Sequence, residues 1–135
     1  MKIEILNSQK VKKIAPKLLR ALVASIARQL SLPDKYLSIF LCDDATICKL
    51  NHQYFKRDIE TDVIAFPLED DKYFGEVIIS VERAVKVCEK YGNNWEDEFT
   101  IYLIHGILHI LGYDDMTPAK KRVMFKKQNE IFKKI

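Results

Sequence analysis

The chain has 135 residues, 48% of them hydrophobic and 30% charged, with a formal net charge of +3. That length suits one domain with its own core. The balance is too apolar for a disordered chain, and no apolar run approaches the roughly 18 residues of a membrane span. Three cysteines without a Cys-x-x-Cys pair point to reduced, packed thiols in a cytoplasmic protein, and the opening MKIEILNSQK has no signal-peptide apolar run.

KIEIL alternates and predicts an opening strand. From Pro16 to Leu30 the apolar residues Leu18, Leu19, Leu22, Val23, Ile26 and Leu30 recur at helical spacing, with Pro16 in the first turn and Leu32-Pro33-Asp34 as the stop. YLSIFL predicts a second strand. DDATICKLNHQYF predicts a helix capped by Asp43 or Asp44. KRDIETD leads into VIAF, a third strand closed by Pro67, and LEDDKYFG turns back into EVIIS, so these two strands are expected to pair as a long-looped hairpin. A helix over Val81–Tyr91 ends at Gly92. Asn93-Asn94 caps the next helix, which carries Phe99, Tyr102, Leu103, Ile107 and Leu111 and stops at Gly112, and Thr117-Pro118 starts a last, basic helix. The order β-α-β-α-β-β-α-α-α predicts an α+β fold, a four-stranded mixed sheet with about five helices gathered largely on one side.

Charge is unevenly placed along this order. KVKKIAPK and KKRVMFKK are basic, LEDD and WEDE acidic. This permits a polyanionic partner without demanding one, since such runs are more often solvated faces.

The chemistry concentrates in HGILHILGYDD, residues 105 to 115. Residues four apart share a helix face, so His105 and His109 aim at one point, the geometry with which two histidines of one helix hold zinc. The bland alternative is two core histidines bonded to backbone or carboxylate, because a buried imidazole needs a partner. Gly112 tips the balance toward metal. A glycine C-cap reverses the chain sharply and brings Asp114 or Asp115 back as a third ligand, with the fourth position open as in catalytic sites. Peptidases with the His-Glu-x-x-His pattern carry their general base beside the first histidine. Here that place is Gly106, which argues against a peptidase and is expected to leave room for a bulky substrate.

HGILHILGYDD closely resembles the signature of the YbeY family of bacterial endoribonucleases, His-Gly-x-Leu-His-Leu-x-Gly-Tyr-Asp-His. NHQYFKRDIETDVIAFP resembles that family's Asn-x-x-Tyr…Asp-x-x-Thr-Asp-Val-Leu-Ser-Phe-Pro segment, GEVIIS its Gly-Asp-Ile-x-Ile-Ser strand, and Met124 with Glu130 its tail. The resemblance implies a zincin-like fold, related to metalloproteases, and one YbeY-like domain over residues 1–135. It also implies one bound Zn2+ and cleavage of single-stranded ribosomal RNA, in 16S rRNA 3′-end maturation and ribosome quality control at the small subunit. By resemblance His105 and His109 are zinc ligands, and Asp115 stands where the family has a third histidine. The carboxylate lowers the site charge by one unit relative to three imidazoles, which weakens the Lewis acid and favours metals that accept oxygen ligands.

A second departure is Phe55, at a place where an arginine commonly follows the family's aromatic residue. Lys56 and Arg57 come next, and Arg57 is the candidate to reach the same phosphate, against the reading of both as a solvated loop. Thr61 and Asp62 are candidates to orient water or backbone, with strand capping as the plainer role of Thr61. Tyr54, Phe55 and Phe66 are stacking candidates that serve equally well as core, and His52 is expected at the surface. The leading expectation is metal-assisted hydrolysis of RNA with Arg57 and Asp62 as catalytic groups and Lys56 and Arg57 on the phosphates. Two others remain open: an RNA-binding ribosome-assembly factor with a structural metal, and a metal hydrolase of another substrate.

Overall fold

Strand-length runs rich in β-branched and aromatic residues alternate with helix-length amphipathic runs. The computed structural model, which describes residues 1–56 and 61–135, folds them as that alternation predicts. Strands β1 (Lys2–Asn7), β2 (Tyr36–Cys42), β3 (Val63–Pro67) and β4 (Tyr73–Ser80) form one four-stranded sheet in the order β1-β2-β4-β3. The β1–β2 and β2–β4 pairs are parallel. β3 runs antiparallel to β4, with Val63 opposite Ile79 and Pro67 opposite Gly75. The expected hairpin is therefore the antiparallel edge of a mixed sheet, and Pro67 closes the edge strand, where a residue without an N–H is tolerated.

Five helices are described: α1 (Pro16–Leu30), α2 (Asp44–Phe55), α3 (Val81–Tyr91), α4 (Trp95–Ile110) and α5 (Pro118–Lys133). Their starts follow the capping residues of the sequence. Asp43 accepts from the Thr46 amide at 2.8 Å, Asn94 from Asp97 at 2.8 Å and Thr117 Oγ1 from Lys120 at 3.2 Å, while Pro16 and Pro118 occupy first turns. Gly92 ends α3 at φ 72°. α1 ends at Leu30 as predicted, with Ser31 as its C-cap in the left-handed region at φ 51°.

The sheet has a thick side and a thin one. Leu37, Ile39, Leu41, Val77 and Ile79 meet α1, α3, α4 and α5 in the main core, whereas Cys42, Ile64 and Ile78 meet Ile47 of α2 on the opposite face. α4 is apolar on most of its circumference, with Phe99, Leu103, Ile104, Ile107 and Leu108 buried, as befits a helix enclosed by the core. All three cysteines are free, and burial pushes the Cys42 thiol up to about 12, with Asp43 and Asp44 adding to it. Among the described residues no helix is long and apolar enough to cross a membrane.

Gly106 corrects one expectation. A Cβ there would lie 2.7 Å from Cγ1 of Val77 and 3.2 Å from Cγ2 of Val63, so the residue faces the sheet and leaves no space for substrate. The glycine lets α4 approach the β3–β4 hairpin closely, and a glutamate has no room at that position.

The starts of α2 and α3 are tied together. Asp44 accepts from Ser80 Oγ at 2.7 Å, from Arg83 Nη2 at 2.9 Å and from Lys86 Nζ at 3.1 Å, and its own amide donates to Glu82 Oε1 at 2.9 Å. Burial acts to raise the Asp44 pKa, but the Ser80 and Lys86 hydrogen bonds and the Arg83 and Lys86 charges outweigh it and hold the carboxyl below its usual range.

Candidate metal centre

α4 brings two imidazoles together one turn apart. Nε2 of His109 lies 3.0 Å from Nε2 of His105, and the rings meet edge to face at a 4.6 Å centroid distance. On the other side of His105, Nδ1 lies 2.8 Å from Oε1 of Gln128 in α5. An amide oxygen can only accept, so Nδ1 carries the proton and Nε2 keeps its lone pair toward His109. Burial lowers the pKa of His109, the adjacent His105 lowers it further, and Asp115 opposes both. A neutral imidazole, the form that binds metal, is therefore favoured at physiological pH.

The chain after α4 folds back as a Schellman turn. The amide of Tyr113 donates to Leu108 O at 3.0 Å and that of Gly112 to His109 O at 3.0 Å, with Gly112 at φ 102°. The two aspartates that follow divide the work. Asp114 accepts from the Met116 amide at 3.0 Å and pairs with Lys120 at 3.5 Å, so it shapes the loop. Asp115 returns to the histidines. One ligand atom from each of His105, His109 and Asp115 lies within 4.8 Å of the other two.

Two nitrogens bound tetrahedrally to zinc at about 2.0–2.1 Å stand about 3.3 Å apart. The observed 3.0 Å separation needs only a small spread of the rings. Two nitrogens and one oxygen on three side chains, with an acceptor fixing the tautomer of one imidazole, fit a three-ligand metal site with an open position.

That position opens on a groove of about 460 Å³ lined by His105, His109, Asp115 and Met116 on one side and by Asn51, Phe55 and residues 61 to 65 on the other. Thr61 and Asp62 are thus brought to the groove, as is Phe55, which is 49% exposed. Tyr54 is exposed against Phe66, with ring centroids 5.6 Å apart. Lys56 is exposed at the α2 C-cap with φ 58°, and Arg57 lies outside the described residues. His52 is exposed and outside the ligand group. A second groove of about 450 Å³, across the turn, is lined by Leu111, Tyr113, Ala119 and Val123 among others and offers a single carboxylate. The His105–His109–Asp115 group lies in the first.

Gln128 was not singled out from sequence. Its signal was there: it is a polar residue on the buried stripe of α5, four after Met124 and three before Ile131, both buried.

The fold and this ligand set can be compared with known proteins. The solution structure of a Thermotoga maritima protein superposes with a TM-score of 0.69 at 29% identity, covering 98% of this chain and 87% of that one. A protein of Persephonella marina described as endoribonuclease YbeY is 40% identical over 129 residues, 90% of this chain and 84% of its own length. Another of Syntrophus aciditrophicus, with the same description, is 33% identical over 141 residues, 98% of this chain and 88% of its own length. The family model described as endoribonuclease YbeY matches residues 2–135, so that the sheet, the paired histidines and the returning loop all fall inside the match, and the chain belongs to the endoribonuclease YbeY family.

Proposed function

We propose that this chain is a zinc-dependent endoribonuclease, a single domain over residues 1–135 that cuts single-stranded RNA. Its task in the cell is processing of ribosomal RNA at the small subunit, at the 3′ end of 16S rRNA, and ribosome quality control. The observation that carries the reading is the His105–His109–Asp115 group set in an open groove, in a chain of an endoribonuclease family. A structural zinc site would close its fourth position with protein, whereas a catalytic one leaves it to water or substrate.

When bound, zinc supplies Lewis acidity, polarising a phosphoryl oxygen and acidifying a water molecule to a pKa of about 7. The protein's own groups do the rest. Gln128 holds the proton on His105 Nδ1, so Nε2 is always presented as a ligand. Asp62, at the groove wall, takes a proton from the attacking water or orients it, and Thr61 fixes the backbone that carries Asp62. Lys56 and Arg57, which follow Phe55 in the sequence where the usual arginine is replaced, offset charge on the phosphate. Gly106 provides no general base, so the peptidase route has no proton acceptor there.

The test is cleavage of a single-stranded ribosomal RNA fragment by purified protein, beside His105→Ala and Asp115→Ala. Loss of cutting and of bound zinc in both variants is expected. Equal cutting by all three proteins would mean a contaminating nuclease and end the reading. RNA binding without any cutting would favour an assembly factor with a structural metal.

A further inference from the structure

Gln128 does not stand alone on its side of α5. Counting back along the helix, Phe125 and Lys121 lie three and seven residues before it, on the same face. The Phe125 ring is 6.2 Å from the His105 ring, tilted by 36°. The ammonium of Lys121 stands 5.5 Å from the centre of the Phe125 ring. Phe125 is 38% exposed. An exposed phenylalanine is ordinary by itself. This one touches the ring of a candidate metal ligand and carries a cation over its face, on a stretch with five cations and no acid between positions 120 and 127.

We propose that Phe125 and Lys121 form a nucleotide subsite beside the metal. The base of the nucleotide next to the scissile phosphate stacks on Phe125, and its phosphate takes the Lys121 ammonium. The inference rests on the reading of the groove as an RNA-cutting site and adds where a neighbouring nucleotide is held. The chemistry selects the ligand. A flat ring in water recognises another flat ring, stacking is tolerant of base identity, and the surrounding cations favour a polyanion. An unpaired strand can offer base face and phosphate together. A duplex keeps its bases stacked on one another and cannot, so the subsite gives the enzyme a physical preference for single strands.

Binding measured without chemistry separates this from the nuclease reading. The zinc-loaded full chain is titrated by fluorescence anisotropy with a short single-stranded 2′-O-methyl oligonucleotide, and with an abasic strand carrying the same number of phosphates. Wild type is expected to prefer the base-bearing strand by roughly 5- to 100-fold. Phe125→Ala should erase that preference, Phe125→Leu should erase most of it while keeping apolar packing beside His105, and Phe125→Trp should retain it. Lys121→Ala should weaken both strands alike and lower the log–log salt slope by about 0.7. Zinc content, measured in parallel, should stay at the wild-type level in every variant. An undiminished base preference in Phe125→Ala and Phe125→Leu overturns the subsite while leaving the nuclease reading intact. Failure of wild type to bind either strand overturns both.

Discussion

Replacing Gln128 by leucine would remove the acceptor that keeps the proton on His105 Nδ1, 23 residues away in sequence. The tautomer is then free to change, and metal affinity is expected to fall about 10- to 100-fold, with Gln128→Glu retaining most of it, as read by titration against a zinc-binding dye. Asp115 sets a different property. Two imidazoles and a carboxylate carry one negative charge more than three imidazoles, so Asp115→His should strengthen the Lewis acid and narrow the choice of metal. Elemental analysis after dialysis against equal zinc and manganese should show a larger manganese share in wild type than in Asp115→His; equal shares would dismiss that role for the carboxylate. These two residues differ in how readily sequence reveals them. The His105 and His109 pair is visible because helical spacing is local. The turn after Gly112 leaves Asp114 and Asp115 open; the resemblance selects Asp115, and the structure adds that Asp114 is occupied by the Met116 amide and Lys120. Gln128 is harder still, because its partner lies on another helix.

Pairs of elements are joined at two points that substitutions can probe. Gly106 lets α4 rest on β3 and β4 with Val77 in near contact, so Gly106→Ala should cost about 1–3 kcal/mol of stability by overpacking, measured by urea unfolding. Asp44 ties α2 to α3, and removing its charge leaves Arg83 and Lys86 without that acceptor. Asp44→Ala is expected to cost about 1.5–3 kcal/mol, the scale of hydrogen bonds to a charged group, since Arg83 and Lys86 keep access to water. The pH dependence has a definite sign. The folded pKa of Asp44 is depressed, so the unfolded chain binds the proton more tightly, and the stability from this group is complete above the unfolded value of about 3.9. It is lost as pH falls through the lower folded value. Asp44→Asn should therefore flatten the acid limb of a stability–pH curve below about pH 4, and an unchanged limb would contradict the assignment. Element order and the caps Asp43, Asn94 and Thr117 were legible because each cap acts on an amide three residues on, and the β3–β4 pairing because the two strands are near neighbours in the chain. Gly106 was misread because its meaning comes from Val77, a residue far off in sequence, and not from its own helix.

Across the whole molecule, the thick side of the sheet carries the candidate metal ligands, their hydrogen-bonding partner and the basic last helix. α2 and the first residues of β3 supply further groove lining from the middle of the chain. Polyanion binding by this arrangement should fall steeply with salt, by about 0.7 in log–log slope for each phosphate contact, and pairwise removal of Lys120 and Lys126 should flatten it measurably. That α2, among the described residues, covers the thin side could not be read from α2 itself, which buries only Asp44, Ile47 and Asn51; it follows from which strand residues the other helices leave uncovered. The metal group spans more of this architecture than its three residues suggest. His105 and His109 belong to α4, Asp115 to the returning loop, and Gln128 to α5, so an ion held there clasps three consecutive segments. Saturation at about 100 times Kd adds about 2.7 kcal/mol to the folded state. Stripping the ion should accordingly speed amide hydrogen exchange in the 111–117 turn and the first half of α5 well before the sheet responds. A cell short of metal would then lose this protein to proteolysis at that turn.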